Sequence, residues 1–269
     1  MRVSSALLAA YDAQLRREAE VLTATDVTLD GPLVRARFHH SGFVTYRDLG
    51  GHSGADLDAL IDRTISYFRD ETDVEDFEWK TRGHDVPGDL GGRLTAAGLR
   101  AEAEETVMVG EAALLAATAD PPHGVSIRRL DPGSPGFVHD VRRMEGMQAA
   151  AFGPAAASDD LVARLTHPGG LCEAWVAEVG DEVVCAGRLE VVPGTEFAGL
   201  WGGATAEPWR GRGIYRALVA VRAGSAVRLG ARYLQSDCTE MSRPILERAG
   251  LTRVTTTSPF VWRRDHSGG

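Results

Sequence analysis

Hydrophobic and polar positions follow two periodicities along this chain, one typical of helices and one typical of strands. Apolar residues recur every three or four positions in the predicted helices: Ser4–Val21, Asp56–Phe68, Leu90–Ala97, Phe137–Ala151, Asp159–Leu165, Gly213–Leu229 and Ser242–Ala249. Alternating or continuous apolar runs bounded by turn residues mark the predicted strands: Leu33–Tyr46, Phe77–Lys80, Thr106–Gly110, Val125–Leu130, Ala174–Val179, Val183–Val192, Phe197–Ala206, Tyr233–Cys238, Leu251–Thr257 and Phe260–Trp262. Helices and strands are interspersed throughout, which predicts a mixed α/β fold.

One segment interrupts this alternation near the middle of the chain. Thr118–Gly124 contains two consecutive prolines and no periodic pattern, and is therefore predicted to be a linker. The expected domains are residues 1–117 and 125–264, with 118–124 between them and a tail at 265–269.

The two halves share a short sequence at the end of a predicted helix. Ala-Gly-Leu at Ala97–Leu99 recurs at Ala249–Leu251, and Leu94 recurs as Leu246 at the same spacing. The predicted elements around both copies also follow one order. This favours duplication of one fold, although a helix–glycine–strand junction can also recur by chance.

Composition excludes several classes of protein. With 43% hydrophobic and 25% charged residues the chain is typical of a soluble globular protein, and no apolar run of about 18 residues predicts a membrane span. The net charge of −9 argues against general nucleic-acid binding, which needs basic surface. Three scattered cysteines without a Cys-x-x-Cys pair indicate a reducing cytoplasm and predict no metal site. His39 and His40 are expected on a strand, facing opposite sides, and so cannot share a metal.

The strongest local motif lies between a predicted strand and a predicted long helix, at Ala206–Tyr215. Gly211 and Gly213 allow close approach of a ligand to the backbone, and the first N–H groups of a helix have no partner within it. Arginines at 210, 212 and 216 add positive charge in an acidic protein. Such a place suits a pyrophosphate. The alternative is a glycine-rich loop with solvated arginines.

Arg210–Tyr215 reads Arg-Gly-Arg-Gly-Ile-Tyr and resembles the Q/R-x-x-G-x-G/A acyl-CoA motif of the GNAT (Gcn5-related N-acetyltransferase) family. The resemblance extends over about residues 124–264, where the predicted elements follow the order of that family. Ser242–Leu251 resembles its closing L-Y-E-x-x-G-F motif, and Gly202-Gly203 stands where the family has a strand bulge. It implies an acyl-CoA N-acyltransferase fold: a mixed, mostly antiparallel sheet flanked by helices, in tandem with a degenerate N-terminal copy.

The resemblance also implies a co-substrate, acetyl-CoA, and the backbone that would bind it. The pantetheine amides would pair with the backbone of Gly203, Ala204 and Thr205. The pyrophosphate would be held beside Arg210 by the amides of the residues that follow: Gly211, Arg212, Gly213, Ile214 and Tyr215.

Two residues depart from the family pattern. Tyr215 stands where the family has glycine or alanine, so its ring must turn aside for a phosphate to approach. Leu246 occupies the position of the tyrosine that protonates the departing thiolate in many members, and a leucine has no proton to donate. Glu190 and Asp237 are candidate bases for the acceptor amine. A surface carboxylate and a helix-capping aspartate are their respective alternatives.

The function implied is transfer of an acetyl group from acetyl-CoA to a primary amine of a small molecule or peptide by direct attack. The alternatives are a non-catalytic acyl-CoA-binding or regulatory module, which Leu246 favours, and an interaction protein with a vestigial loop, which Tyr215 favours. The acceptor, the length of the acyl group, the general acid, the role of the N-terminal lobe and the oligomeric state, including a homodimer, stay open.

Overall fold

The computed structural model of this chain describes residues 2–117, 120–152 and 158–264. The predicted tail, 265–269, and part of the predicted linker, Thr118 and Ala119, lie outside these residues. The described chain forms two compact units. Unit 1 contains the residues up to Val107, Asp237–Glu240 and the residues from Val254 onward, and unit 2 contains Met108–Ser236 and Met241–Arg253.

Helices and strands are interspersed along both units. The elements up to the middle of the chain are α1 (Arg2–Gln14), a 3-10 turn (Arg17–Glu20), β1 (Asp26–Asp30), β2 (Leu33–Phe38), β3 (Ser41–Thr45), α2 (Gly54–Asp70), β4 (Asp76–Arg82), α3 (Leu90–Ala96), β5 (Arg100–Ala101), β6 (Glu105–Glu111) and α4 (Ala112–Ala116). Those that follow are β7 (Ser126–Arg129), α5 (Phe137–Phe152), α6 (Ser158–Thr166), β8 (Cys172–Val179), β9 (Glu182–Val191), β10 (Phe197–Thr205), a 3-10 turn (Glu207–Trp209), α7 (Ile214–Arg228), β11 (Tyr233–Cys238), α8 (Arg243–Ala249) and β12 (Thr252–Arg263).

Strand pairing follows the same scheme in the two units. In unit 1, β1, β2 and β3 are antiparallel neighbours, α2 follows, and β4 then pairs parallel to β3. In unit 2, β8, β9 and β10 are antiparallel neighbours, α7 follows, and β11 pairs parallel to β10. Both units therefore have a mixed, mostly antiparallel sheet flanked by helices, as the resemblance implied.

The helices that precede the shared Ala-Gly-Leu sequence end in the same way. Gly98 after α3 and Gly250 after α8 are both left-handed, with φ of 95° and 110°. The N–H of Leu99 donates to the carbonyl of Leu94 at 3.0 Å, and that of Leu251 donates to the carbonyl of Leu246 at 3.0 Å. Glycine satisfies this helix end without steric cost. The recurrence noted in the sequence is thus a recurrence of geometry.

The sheet of unit 2 has two covered faces. Side chains alternate along β9, so Ala186 faces α5 and α6 with Val141 and Leu161, whereas Cys185 faces α7 with Leu218. In unit 1 the apolar stripe of α2 packs on the buried aromatic residues of β4. Among the described helices, none combines the length and apolar character needed to cross a bilayer.

Near the N-terminus two predicted elements were wrong. The helix expected over Ser4–Val21 ends at Gln14, because Arg17 adopts a left-handed conformation with φ of 62°. The strand expected over Leu33–Tyr46 is a hairpin, β2–β3, whose turn is formed by His39 and His40. The two histidines therefore do not lie on a strand.

Two further differences concern strands. Asp26–Asp30 forms β1, a strand that the sequence pattern did not predict. The pair of strands expected after Gly250 is one strand, β12, which continues through Pro259. Proline lacks a backbone N–H, but its carbonyl still accepts a hydrogen bond from the N–H of Glu102 at 2.9 Å, so pairing continues on that side.

Candidate functional site

A gap opens at one edge of β10. The parallel pairing of β10 with β11 covers only Phe197–Gly199, and beyond it the Ser236 hydroxyl donates to the carbonyl of Leu200 at 3.0 Å. On its other edge β10 pairs with β9, but the register shifts between Trp201 and Ala204. The bulge falls at the predicted double glycine, where Gly202 has φ of 58°. A strand that bulges and loses its neighbour leaves backbone groups for an extended ligand.

The residues expected to pair with pantetheine lie along this bulged end. Ala204 and Thr205 resume the pairing with β9, opposite Ala186 and Cys185. Gly203 stands within the register shift, and a Cβ atom added there would lie 2.5 Å from the Tyr215 hydroxyl. The Tyr215 ring therefore packs inward against β10. The position needs glycine because the ring fills the space that a side chain would take.

The loop between β10 and α7 has the form that the motif predicted. Gly211 and Gly213 have φ of 75° and 82°, and a Cβ atom added at either would meet no atom within 4 Å. Their conformation, rather than crowding, requires glycine. Both residues are exposed, as are the three arginines at 210, 212 and 216.

Helix α7 begins directly after this loop, with its cationic neighbours partly fixed in place. Arg210 Nε donates to the carbonyl of Thr205 at 3.1 Å, and the Arg212 guanidinium lies 4.7 Å from the centre of the Trp209 ring. The first turn of α7 contains no acidic residue, and no side-chain hydrogen bond from the described residues caps it. The N–H groups of the first helical turn, the helix dipole and the arginines together favour an anion here. Ile214, the first residue of the helix, is buried in the apolar cluster between α7 and the sheet and so anchors the loop.

Asp237, one candidate base, belongs to unit 1 and is only 5% exposed. Its carboxylate accepts a hydrogen bond from Lys80 Nζ at 3.0 Å, and the same nitrogen lies 3.5 Å from Glu20 Oε1. Burial alone would lower the pKa of Lys80, but the two carboxylates outweigh burial and raise it. Asp237 is therefore part of a buried ion-pair network.

The other candidate base, Glu190, lies near the end of β9 in unit 2. Arg188 Nε donates to its Oε1 at 3.1 Å, and Arg164 of α6 donates to the same oxygen. Its side chain is 24% exposed. Two guanidinium groups thus share one carboxylate, and the sequence pattern predicted neither contact.

Four polar or aromatic residues around the bulge were missed. They are Gln148, Arg188, Trp201 and Arg222. The available signal was a single arginine inside an apolar run: Arg188 within a strand and Arg222 within the apolar stretch of α7, where a buried cation needs a reason.

Leu246, in the position of the family tyrosine, is 1% exposed and belongs to the apolar interior. Within the described ranges, no group of three or more His, Cys, Asp and Glu side chains could hold a metal ion.

No protein-family model matches the chain, and no curated protein matches it. Solved structures do. A GCN5-related N-acetyltransferase from Kribbella flavida is 15% identical, with a TM-score of 0.63, over 99% of this chain and 96% of that one. Another from Sphaerobacter thermophilus is 18% identical, with a TM-score of 0.59, over 88% and 75%. A tandem GNAT protein from the clavulanic acid biosynthesis pathway is 12% identical, with a TM-score of 0.57, over 88% and 79%.

Proposed function

We propose that this chain, which has the two-lobed GNAT fold, transfers an acetyl group from acetyl-CoA to a primary amine of a small molecule or peptide. The observation that carries the proposal is the open, left-handed turn at Gly211 and Gly213, directly before a helix whose first turn contains no acid. The three cysteines are free thiols, which supports a reducing compartment such as the cytoplasm.

The residues present fit the proposed co-substrate. The amides of Gly211–Tyr215 would hold the pyrophosphate, with Arg210, Arg212 and Arg216 neutralising its charge. The bulged end of β10, at Gly203–Thr205, would pair with the pantetheine amides as an added strand would. The thioester supplies an activated carbonyl carbon.

The proposed reaction is direct transfer. The amine nitrogen forms a bond to the carbonyl carbon and gives up one proton to a base, the C–S bond breaks, and the sulfur leaves as a thiolate that takes up a proton. A base and a hydrogen-bond donor to the carbonyl oxygen are what the protein must contribute. Asp237 and Glu190 are the two carboxylates that we propose as candidates for the base.

A non-catalytic acyl-CoA-binding module is the second candidate. The observation that favours it is Leu246, which is buried and cannot protonate a thiolate. Release of the free thiol in the presence of acetyl-CoA and a panel of primary amines separates the two candidates. Binding of acetyl-CoA without thiol release from any amine would favour the module.

A pair of glycine substitutions tests the binding site. Gly213 and Gly230 both have positive φ, at 82° and 88°, and open space around them, but Gly230 lies at the far end of α7. Replacing either by valine imposes similar backbone strain. Only Gly213→Val should abolish acetyl-CoA binding in calorimetry, because its side chain enters the space that a phosphate needs. Equal affinity in folded Gly213→Val protein would overturn the proposal.

A further inference from the structure

A cluster of charged residues lies on the face of the unit 2 sheet that α5 and α6 cover. Arg188 and Glu190 are alternate residues of β9, and Arg164 reaches them from α6. One carboxylate is shared by two guanidinium groups, so the cluster has an excess of one positive charge. The Arg188 side chain is 22% exposed and that of Arg164 50% exposed. An excess charge that is only partly solvated attracts an anion.

The free end of Arg188 lies at the bulge of β10. A Cβ atom added to Gly202 would lie 3.0 Å from Arg188 Nη1 and 3.1 Å from Gln148 Nε2. Arg188 donates through Nε to Glu190, and no hydrogen bond of its two terminal nitrogens is found among the described residues. The Gln148 amide, in contrast, already donates a hydrogen bond to the carbonyl of Gly202 at 2.5 Å. Arg188 therefore presents unused donors beside the gap.

Trp201 adds a second unused donor next to Arg188. The two residues are direct cross-strand partners of β9 and β10. The Trp201 indole folds over Gly199, where an added Cβ atom would lie 2.2 Å from Nε1. The side chain is partly exposed, and no hydrogen bond of its N–H is found within the described part of the chain. Glycine at 199 is what permits this placement.

A buried cation on the opposite face of β9 increases the positive potential. Arg222 of α7 is fully buried, and its Nη1 donates to the carbonyl of Arg188 at 3.0 Å. Its Nη2 has no hydrogen-bond partner, and none of the described residues forms a salt bridge with it. Gly187 makes room for the guanidinium, because an added Cβ atom would lie 2.5 Å from Nη1. A buried guanidinium without a counter-ion is costly, and a bound anion nearby would offset part of that cost.

We propose that Arg188, with the Trp201 indole N–H, recognises a carboxylate group on a reactant bound at the bulge of β10. The first source of this carboxylate is the acceptor, which would then be an amino acid or another amine with a neighbouring carboxylate. An acyl group with its own carboxylate is the second source of the same chemistry. This inference rests on the proposed acetyl-CoA-dependent function. Within this inference Glu190 is a positioning residue that orients Arg188 and is no longer a candidate for the base.

The test compares matched ligands. Amino acids and their carboxamides, which differ only in the carboxylate, are assayed with acetyl-CoA by thiol release and by calorimetric binding in the presence of CoA. The wild-type protein should prefer the acid to the carboxamide by roughly 10- to 100-fold, the effect of a hydrogen bond to a charged group. At a given pH more of the carboxamide amine is unprotonated, so amine ionisation cannot create this preference.

Variants assign the preference to the cluster. Arg188→Gln should remove it mainly by raising KM for the acid, and Gly199→Ala, which displaces the indole, should reduce it. Glu190→Gln should weaken the preference without changing the pH profile of kcat, as expected of a positioning residue. Arg142→Gln, which removes an exposed charge from α5, is the control with an unchanged preference.

The source of the carboxylate is distinguished in a second arm, with acetyl-CoA and succinyl-CoA as donors. A preference for succinyl-CoA that Arg188→Gln abolishes would support recognition of a donor carboxylate. Absence of both preferences in protein that binds acetyl-CoA would overturn this inference and leave the proposed function intact. Failure to bind either acyl-CoA would overturn both.

Discussion

At the residue scale, the buried ion pair of Asp237 and Lys80 bears on both the stability of the fold and the proposed catalysis. Lys80 is the only lysine of the chain. Asp237→Asn removes the charge that accepts its hydrogen bond, so the free energy of unfolding should fall by about 3 kcal/mol, as for other broken buried pairs. If Asp237 is the base, kcat should fall as well.

Lys80→Met is the control for this prediction. It breaks the same ion pair but keeps the carboxylate of Asp237. Urea unfolding should show a loss of stability in both variants, whereas only Asp237→Asn should lower kcat in the thiol-release assay. Equal turnover in the two variants would remove Asp237 from the mechanism.

Glu20 makes the stability of unit 1 dependent on pH. Burial alone would raise its pKa, but Arg82 and Lys80 outweigh burial, so the pKa is held below the ordinary value of 4.5. The folded state therefore keeps the charge at a pH at which the unfolded state takes up a proton. This contribution is complete above about pH 4.5 and is lost as the pH falls through the lower folded value.

Glu20→Gln should abolish that dependence. Urea unfolding at a series of pH values should give a difference between wild type and variant of about 3 kcal/mol at pH 7, which shrinks steadily below pH 4.5. Glu18→Gln, in the same 3-10 turn but 71% exposed, should change little at any pH. A constant difference across this range would contradict the assignment to Glu20.

The conformation of the loop before α7 could be predicted from single residues, whereas the charged cluster around Arg188 could not. Gly211 and Gly213 signal a special backbone conformation by their residue type alone. Arg188, Trp201 and Arg222 gain their meaning only when β9 and β10 bring them together, because cross-strand neighbours are distant in sequence. A periodic pattern carries no information about which strands pair.

At the scale of elements, the repeated helix ends allow a comparison within one molecule. Gly98→Ala and Gly250→Ala each force a residue with a Cβ atom into a left-handed conformation, which costs about 1 kcal/mol. Only the atom added at Gly250 meets a neighbour, Leu115 Cδ2, at 3.2 Å. Denaturant unfolding should therefore show a larger loss of stability for Gly250→Ala. Equal losses would mean that Leu115 yields without cost.

Most elements could be predicted because they bury one continuous face. The exceptions lack such a face. Residues of β1 alternate between half-buried and exposed positions, with Leu29 62% exposed, so its pattern carries little signal. Helix α1 stops although apolar residues continue to Leu15 and Val21, because the backbone turns at an extended Arg16, which pairs with Asp85, and a left-handed Arg17. Tertiary contacts override periodicity at both places.

At the scale of the whole molecule, two similar units predict one acyl-CoA site rather than two. Unit 1 has left-handed glycines at 50 and 51 before α2 and at its first residue, Gly54, but Asp56 stands in the first turn of that helix. A carboxylate there repels a pyrophosphate. Unit 1 also differs at the parallel strand pair that corresponds to β10 and β11. There the Glu20 carboxylate bridges β3 and β4, because Thr45 and Arg82 both donate hydrogen bonds to it.

Calorimetry with acetyl-CoA should therefore give a stoichiometry of one per chain. The binding that remains in Gly213→Val protein should be undetectable, because any residual binding would have to come from unit 1. Two sites of comparable affinity would contradict the prediction and show that the glycine turn before α2 suffices.

The discontinuity of unit 1 has a consequence for how the protein is made. β4 pairs with β12 through Asp76–Arg82 and Thr257–Arg263, yet the ribosome synthesises β12 only after nearly all of unit 2. Domains usually fold as they emerge, first the N-terminal one. In this chain the edge of β4 stays unpaired until β12 has been synthesised. During that time the edge can associate with other chains. The nascent chain is thus expected to depend on chaperones more than the size of its units would suggest.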